Sequence, residues 1–484
     1  MNKRKELQKS LKPQWVWAIA LGCAIGWGAF VQPTNWMQTA GPLGAMIGFA
    51  IGAFLMMIIA VSYGFLIKNF PVSGGEFAYA FISLGRTHAF ISGWFLTLGY
   101  ICIVALNASA LALMIKYVFP SLVENMHMYT IAGWNVYFTE IIIASIGLFI
   151  FGYLNIRGTG LSGRTQYIFA ILMVAVVVLL ALITGFHPQT DIQNLQPFFP
   201  TDKTAWAAII SIVAIAPWAY VGFDAVPQAA EEFKFPSSKA FMLIIFALVF
   251  AAGIYVLMLF STAVAAPWQE VAGAGLLWGT GHVIQQLIGI PGLIILVVAL
   301  SMGIFTGLNG FILASSRLMF AMARAKIIPS AFGKLHPKYG TPYVAIIFTI
   351  IVSAFAPWFG REALIWVVDM SSIGVSIAYL YTSYTAYYLF KWSEKGVIDS
   401  TKQEVAPVKK FISLLGIIAS IIFILLLLVP GSPAFLGFES RVALITWIVL
   451  GFIFYLVKRK EFNAIDEKEL NYLILGEEEI KFKS

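Results

Sequence analysis

Twelve apolar runs of roughly 20 residues succeed one another along this chain, and no other feature limits its possible folds so severely. Their limits are 15–37, 43–67, 86–118, 138–156, 164–185, 205–230, 239–263, 284–323, 342–358, 363–390, 409–430 and 436–457. A helix of about 20 apolar residues crosses the ~30 Å hydrocarbon core of a bilayer, where only helices and closed barrels satisfy their backbone groups. The runs therefore predict an all-α integral membrane protein with 12 transmembrane helices. The third and eighth are long enough to imply tilt, and the ninth is short. A composition of 60% hydrophobic and 11% charged residues, with mean hydropathy +0.86, belongs to a polytopic membrane protein and excludes an ordinary soluble domain.

An even number of spans puts both termini on one side. All of the 31 Lys and Arg except Lys116, Lys203, Arg361 and Arg441 then fall on that side, which the positive-inside rule assigns to the cytoplasmic face of a cell membrane. The net charge of +8 is accounted for as a topology signal and calls for no nucleic-acid partner. The basic N-terminal stretch MNKRKELQKSLK leads into an apolar segment longer than a signal-peptide core, without a small-residue cleavage pattern, so it is expected to be retained. Cys23 and Cys102 both lie in apolar runs and indicate neither a disulfide framework nor a metal site. The chain divides into a tail (1–14), a core (15–390), a loop (391–408), two further helices (409–457) and a second tail (458–484). Leu470, Tyr472, Leu473 and Ile474 suit that second tail to the inner membrane face or to plain solvent. Oligomeric state leaves no mark on the sequence.

Two runs are interrupted. The first contains GCAIGWGAFVQP, with Gly22, Gly26 and Gly28 within two turns; the sixth contains Pro217, Gly222, Asp224 and Pro227. Each glycine weakens a helix by about 1 kcal/mol relative to alanine, and unwound backbone at membrane depth is tolerated only when buried in protein or lining a cavity. Glycines also serve close helix packing, the plainer reading of either break alone. Five spans separate the two, so they hold matching positions in two halves (15–185 and 205–390) of opposite orientation, as in an inverted-repeat transporter. The half-helix starting near Gly28 would point free amides, from about Gly26 to Ala29, into the break, which suits a carboxylate. The half ending near Ala219 would present carbonyls from Pro217 to Tyr220, which suit an ammonium or a cation. Trp27, Trp218, Tyr220, Tyr100 and Phe311 are available as pocket wall, although aromatics in such chains also pack and anchor.

Four stretches, in order, resemble the amino acid/polyamine/organocation transporters over roughly 15–458: GCAIGWGAF, FPVSGGEFAYAF, WAYVGFDAVPQAAEEFKFP and SSRLMFAMARAKIIPSAFGKLHPKYGTPYVA. The resemblance implies five plus five inverted helices, discontinuous at helices 1 and 6, with two more at the end. It implies carboxylate-binding amides at Ile25, Gly26, Trp27 and Gly28, and ammonium-binding carbonyls at Trp218, Ala219 and Val221. Trp218 is similar in place to the occluding tryptophan of arginine/agmatine exchangers, Asp224 to their glutamate, and Phe311 to their helix 8 tryptophan. Two departures stand out. Trp27 replaces a small residue between the glycines, and Met173 stands where proton-coupled members carry a lysine.

Function then reads as secondary active transport of an amino acid bound between the two breaks, with a polyamine or organic-amine permease, or an amino acid exchanger, as the alternative. Sodium and proton coupling both stay open, and no other cofactor is implied. Ser315 and Ser316 offer hydroxyls to a cation, and Asp224 and Asp369 are functional candidates because acids within spans are costly. An anionic Asp224 in the pocket would favour a cationic substrate. Glu140 lies too near a membrane face to assign. Glu231 and Glu232 read as an interior gate or a solvated cap, with Lys234 or Arg164 as a basic partner. No HExxH, GxSxG, phosphate-binding glycine loop or His/Cys metal spacing supports an enzyme, and no filter-like loop or charge ring supports a channel.

Overall fold

The computed structural model describes residues 4–131, 134–360, 362–394 and 407–478. The chain opens with α1 (Pro13–Ile25), α2 (Gly28–Val31), α3 (Pro33–Asn69), α4 (Gly75–Leu84), α5 (Arg86–Val118) and α6 (Pro120–Val123). A hairpin of β1 (His127–Ile131) and β2 (Trp134–Tyr137) precedes α7 (Phe138–Ile156) and α8 (Thr159–Gly185). There follow α9 (Ala205–Val213), α10 (Ala216–Ala219), α11 (Ala225–Gln228), α12 (Ala240–Ala265), α13 (Trp268–Gly273), α14 (Gly279–Ile288) and α15 (Ile290–Arg324). The chain ends in α16 (Tyr343–Ser353), α17 (Glu362–Glu394), α18 (Pro407–Leu428), α19 (Phe438–Asn463) and α20 (Glu467–Leu475). Among the described residues, eight helices are long and apolar enough to cross a membrane.

The first run is split into α1 and α2, and the sixth into α9, α10 and α11. The first two runs part where expected, between 37 and 43, but without a loop: the stretch given as α3 is two helices that meet at Gly41, whose φ of 69° and ψ of 165° are non-helical, just before Pro42, a residue without an amide donor. The eighth run is not one tilted helix either, because Gly289 at φ 76° separates α14 from α15. The β-hairpin was not foreseen. It has a use for Lys116, whose Nζ lies 2.7 Å from Glu140 and over the rings of Trp134 and Tyr137 at 4.4 and 4.7 Å. A buried ammonium needs such a charge and ring partnership, which assigns Glu140 to it.

The interior forms around α1, which packs on α8, α12 and α15, while α3 packs on α9 and α12 and α5 on α15 and α17. A polar hub ties three of these together. Gln166 of α8 donates to the carbonyls of Ala18 and Thr306, Asn309 donates to Gln166, and Thr306 donates to the carbonyl of Gly22. Gly22 therefore belongs to a packed seam: a Cβ there would lie 2.7 Å from Gln166 Nε2.

Candidate functional site

The first break has a single conformational cause. Gly26 takes φ 52° and ψ −147°, which ends α1 and turns the chain into α2. Its amide still donates to Gly22, whereas the amides of Trp27, Gly28 and Ala29 find no acceptor among the described residues. They are the unpaired donors of a short helix start. Around Gly26 there is space, since an added Cβ would meet only Asn107 Oδ1, at 3.9 Å. That oxygen and the indole Nε1 of Trp27 are both buried without a hydrogen-bond partner, an acceptor and a donor left open at one place.

The second break lies against the first. From Tyr220 to Asp224 the chain turns without forming helix, and Gly222, at φ 134°, presses on α1 so closely that a Cβ would stand 2.6 Å from the amide of Ala24. The carbonyls of Pro217, Trp218, Tyr220 and Val221 receive no hydrogen bond among the described residues. Ala219 is different: its carbonyl accepts from the Tyr255 hydroxyl at 2.7 Å, and the same hydroxyl lies 3.1 Å from the carbonyl of Ala24 and 3.4 Å from that of Ile25. One side chain of α12 thus ties both broken helices together.

A cavity of about 730 Å³ opens above the junction, between α2, the start of α3, α5, α9 and α14. Its walls are mixed, with Leu113, Met114, Ile212, Ile215, Leu277 and Leu300 beside the polar Gln32, Thr34, Asn35 and Ser211, and among the described residues Lys203 is the one charged side chain that lines it. The floor includes Trp27 and Trp218, whose rings meet edge to face at 6.2 Å. Trp218 also stands over α2, where a Cβ on Gly28 would fall 2.8 Å from its ring. Ile25, Gly26, Gly28, Ala219, Tyr220 and Val221 sit beneath this aromatic floor and do not line the cavity. Tyr220 turns its hydroxyl to the carbonyl of Phe49 at 2.8 Å. Phe311 is buried against Tyr100, with ring centroids 5.7 Å apart, and Met173 is buried in α8.

Asp224 does not face the cavity. Its Oδ1 accepts from the amide of Gly222 at 2.6 Å and its Oδ2 from the Tyr100 hydroxyl at 2.8 Å. Asp369 is half-buried in α17 beside Gly437 and Ser440, at the start of α19, and Val368 alone of that pair reaches the cavity wall. The two serines part company: Ser315 bonds Thr349 at 3.1 Å, and Ser316 accepts from the Arg317 guanidinium at 3.0 Å. A guanidinium at that distance repels a metal cation, so Ser316 is a poor cation ligand here.

The end of the sixth run is held by arginines, a correction to the expected Lys234 or Arg164. Glu231 accepts from Arg324 at 2.7 and 3.0 Å and pairs with Arg4. Glu232 accepts from Arg317 at 2.9 Å and from Thr159. Glu232 is buried and the Glu231 side chain is only 9% exposed, so this is an ion-pair cluster and not a solvated cap. The terminal segments join it. Ser10 and Leu11 donate to the Glu232 carbonyl, Arg4 donates to the Leu473 carbonyl, and Leu470, Leu473 and Ile474 of α20 are buried. Neither plain solvent nor the membrane face describes that stretch of α20. Sequence reasoning did not single out Asn107, Tyr255, Arg4, Arg317 and Glu76; only a buried donor or acceptor without a local partner marks such residues, and that requires coordinates.

A family model described as amino acid permease matches residues 14–454. Among curated proteins, the chain is similar to the branched-chain amino acid permease BcaP of Bacillus subtilis (strain 168), 27% identical with 96% of each chain covered. The methylthioribose transporter of the same organism is 26% identical over 77% of this chain and 80% of its own. The aromatic amino acid transport protein AroP of Escherichia coli O157:H7 is 24% identical over 95% and 98%.

Proposed function

Because the chain belongs to the amino acid permease family, we propose that it is a secondary transporter carrying a neutral amino acid across the cell membrane by alternating access, with both termini in the cytoplasm. The observation that carries this reading is the junction of the two breaks. Free amides at Trp27, Gly28 and Ala29 lie beside open carbonyls at Trp218 and Val221, under a cavity with apolar and polar walls. In this reading the α-carboxylate binds the amides, the α-ammonium binds the carbonyls and Asn107 Oδ1, and the side chain points to the apolar wall. Trp218 must swing off Gly28 to admit substrate, and its return occludes the site.

A neutral side chain is favoured because, among the described residues, no acidic one lines the cavity and both Asp224 oxygens are already engaged. The names of two of the three relatives, branched-chain and aromatic, point the same way, while the third is a methylthioribose transporter. The test is uptake into proteoliposomes of labelled leucine and phenylalanine, each challenged by unlabelled amino acids and polyamines, with sodium and pH varied separately. Saturable uptake displaced by neutral amino acids is expected. Displacement by polyamines alone, or flux that never saturates, would replace this reading with an organic-amine carrier or a channel.

A further inference from the structure

Away from the cavity, the chain buries a second set of polar groups. Glu76, in the first turn of α4, and Asp224 are both fully buried, and among the described residues neither is paired with a lysine or arginine. One hydrogen-bonded chain joins them. Tyr63 donates to Glu76 Oε1 at 2.8 Å, Gln228 Nε2 donates to Glu76 Oε2 and lies 3.4 Å from the Tyr100 hydroxyl, and that hydroxyl donates to Asp224 Oδ2 at 2.8 Å. The other titratable groups near Glu76 are the Tyr79 and Tyr379 hydroxyls, both buried without a partner. Close approach of the elements is built in: a Cβ on Gly75 would lie 2.9 Å from Gln228 Nε2 and 3.0 Å from Pro227.

The telling atom is Gln228 Oε1, which is buried and has no donor. The amide therefore uses only its nitrogen, an arrangement that suits an ionised Glu76. Turned over, the same amide would set Oε1 against Glu76 Oε2, an arrangement that needs a proton on the carboxyl. The site has two hydrogen-bonded states that differ by one proton, and no cationic side chain to balance the anion in either.

We propose that Glu76 is the proton-binding residue through which transport is coupled to a proton gradient, with the Gln228 amide as its switch and Tyr100 as the link to Asp224 in the helix 6 break. A proton enters from solvent on one side, binds Glu76 Oε2, and is released unchanged to solvent on the other; no other bond is made or broken. Gln228 lies at the end of the broken sixth run, so reorientation of that run changes what Glu76 meets. The proposal rests on the transport reading above.

The test compares wild type, Glu76→Gln and Glu76→Asp in proteoliposomes, after each elutes as a folded species. In Glu76→Gln, accumulation driven by a pH gradient should fall more than tenfold while exchange of labelled for unlabelled leucine at equal pH persists; Glu76→Asp should restore part of the driven uptake. Infrared titration of the purified protein supplies a readout independent of transport, a carboxylic acid C=O band present in wild type and missing from Glu76→Gln. Loss of exchange together with driven uptake, sodium-driven accumulation indifferent to the pH gradient, or a band unchanged in Glu76→Gln would each overturn the proposal. Absence of amino acid exchange in wild type would instead overturn the transport reading, leaving the infrared band to judge Glu76.

Discussion

At the cavity end, about 730 Å³ of space reaches down to two indole rings, and Trp218 alone stands over Gly28. At the end nearer the termini, Glu231 and Glu232 lie under Arg4, Arg324 and Arg317, with the segment from Arg4 to Leu11 and α20 laid across them. The two closures differ in kind. A ring leaves by rotating about its own side-chain bonds, whereas a desolvated ion pair must part into solvent before its partners are free, and breaking it one-sidedly costs several kcal/mol. In the alternating-access reading proposed above, an asymmetry of this sort favours a molecule that rests open to the cavity side and opens the other side only when something else changes.

Sidedness gives the sharpest test of the comparison, because its outcome is all or none. Gln189→Cys, between α8 and α9 on the cavity side, is expected to react with an impermeant thiol reagent in intact cells. Reaction only after permeabilisation would invert the assignment and make the arginine cluster the outer closure. Next in size is Arg317→Gln. It leaves Glu232 buried without its charge partner, so about 3–5 kcal/mol of stability should be lost, read as a lower thermal midpoint in detergent. An unchanged midpoint would mean that the cluster is not what holds that end shut.

The two break glycines should separate function from folding. Gly26→Val has room for its Cβ but forces a β-branched residue to positive φ, a cost of roughly 1–3 kcal/mol at the binding geometry. Transport should drop more than tenfold in a protein that still reaches the membrane and elutes normally. Gly222→Ala meets the backbone of α1 at 2.6 Å and should instead lower the folded yield. Equal behaviour of the two would deny that one break is a cavity and the other a contact.

Burial works to raise the Glu231 carboxyl, but Arg324 and then Arg4 outweigh it and hold it below its ordinary 4.5. A depressed carboxyl contributes in full above that ordinary value and loses its contribution as pH falls through the lower folded value. Labelling of Leu7→Cys, a buried position in the terminal segment, with a pyridyl disulfide that reacts at acid pH, and normalised at each pH to an exposed cysteine, should therefore stay slow from neutral pH to about 4.5 and rise severalfold only below it. Acceleration already near neutral pH would show that the terminal segment is not secured by this pair.

How far these features can be read from residues alone depends on how local their causes are. The breaks were legible because glycine and proline act on their own backbone, and Gly26 at positive φ is a property of one residue. The parting of the first two runs has the same kind of cause, one glycine with non-helical backbone at Gly41 beside Pro42. Partners of charges were not legible. Lys234 is close to Glu231 in sequence, but Arg324 is 93 residues away and Arg4 is 227. Asp224 was singled out for its charge, whereas its engagement by Gly222 and Tyr100 depends on how the break folds back. Glu76 lay unremarked within FPVSGGEFAYAF, where the double glycine drew the eye and the acid behind it was the residue that the glycine admits to Gln228.

The smallest expected effect tests whether the two breaks act as one site. Tyr255 stacks on Phe49 with centroids 4.5 Å apart, so phenylalanine at that position keeps the packing and removes only the hydroxyl. Ala219 then loses its donor, and the carbonyls of Ala24 and Ile25 lose the polar group between the helices. A net hydrogen bond is worth about 1 kcal/mol, which corresponds to roughly fivefold in substrate affinity if the hydroxyl fixes the spacing of the breaks. Tyr220→Phe is the matched control, because its hydroxyl serves Phe49 and neither break. Tyr255→Phe should weaken leucine binding severalfold with little change in thermal midpoint, and Tyr220→Phe should leave binding as it was. If the two variants weaken binding equally, the hydroxyls matter only for packing around α3, and the junction of broken helices is held by Gly222 against α1 alone.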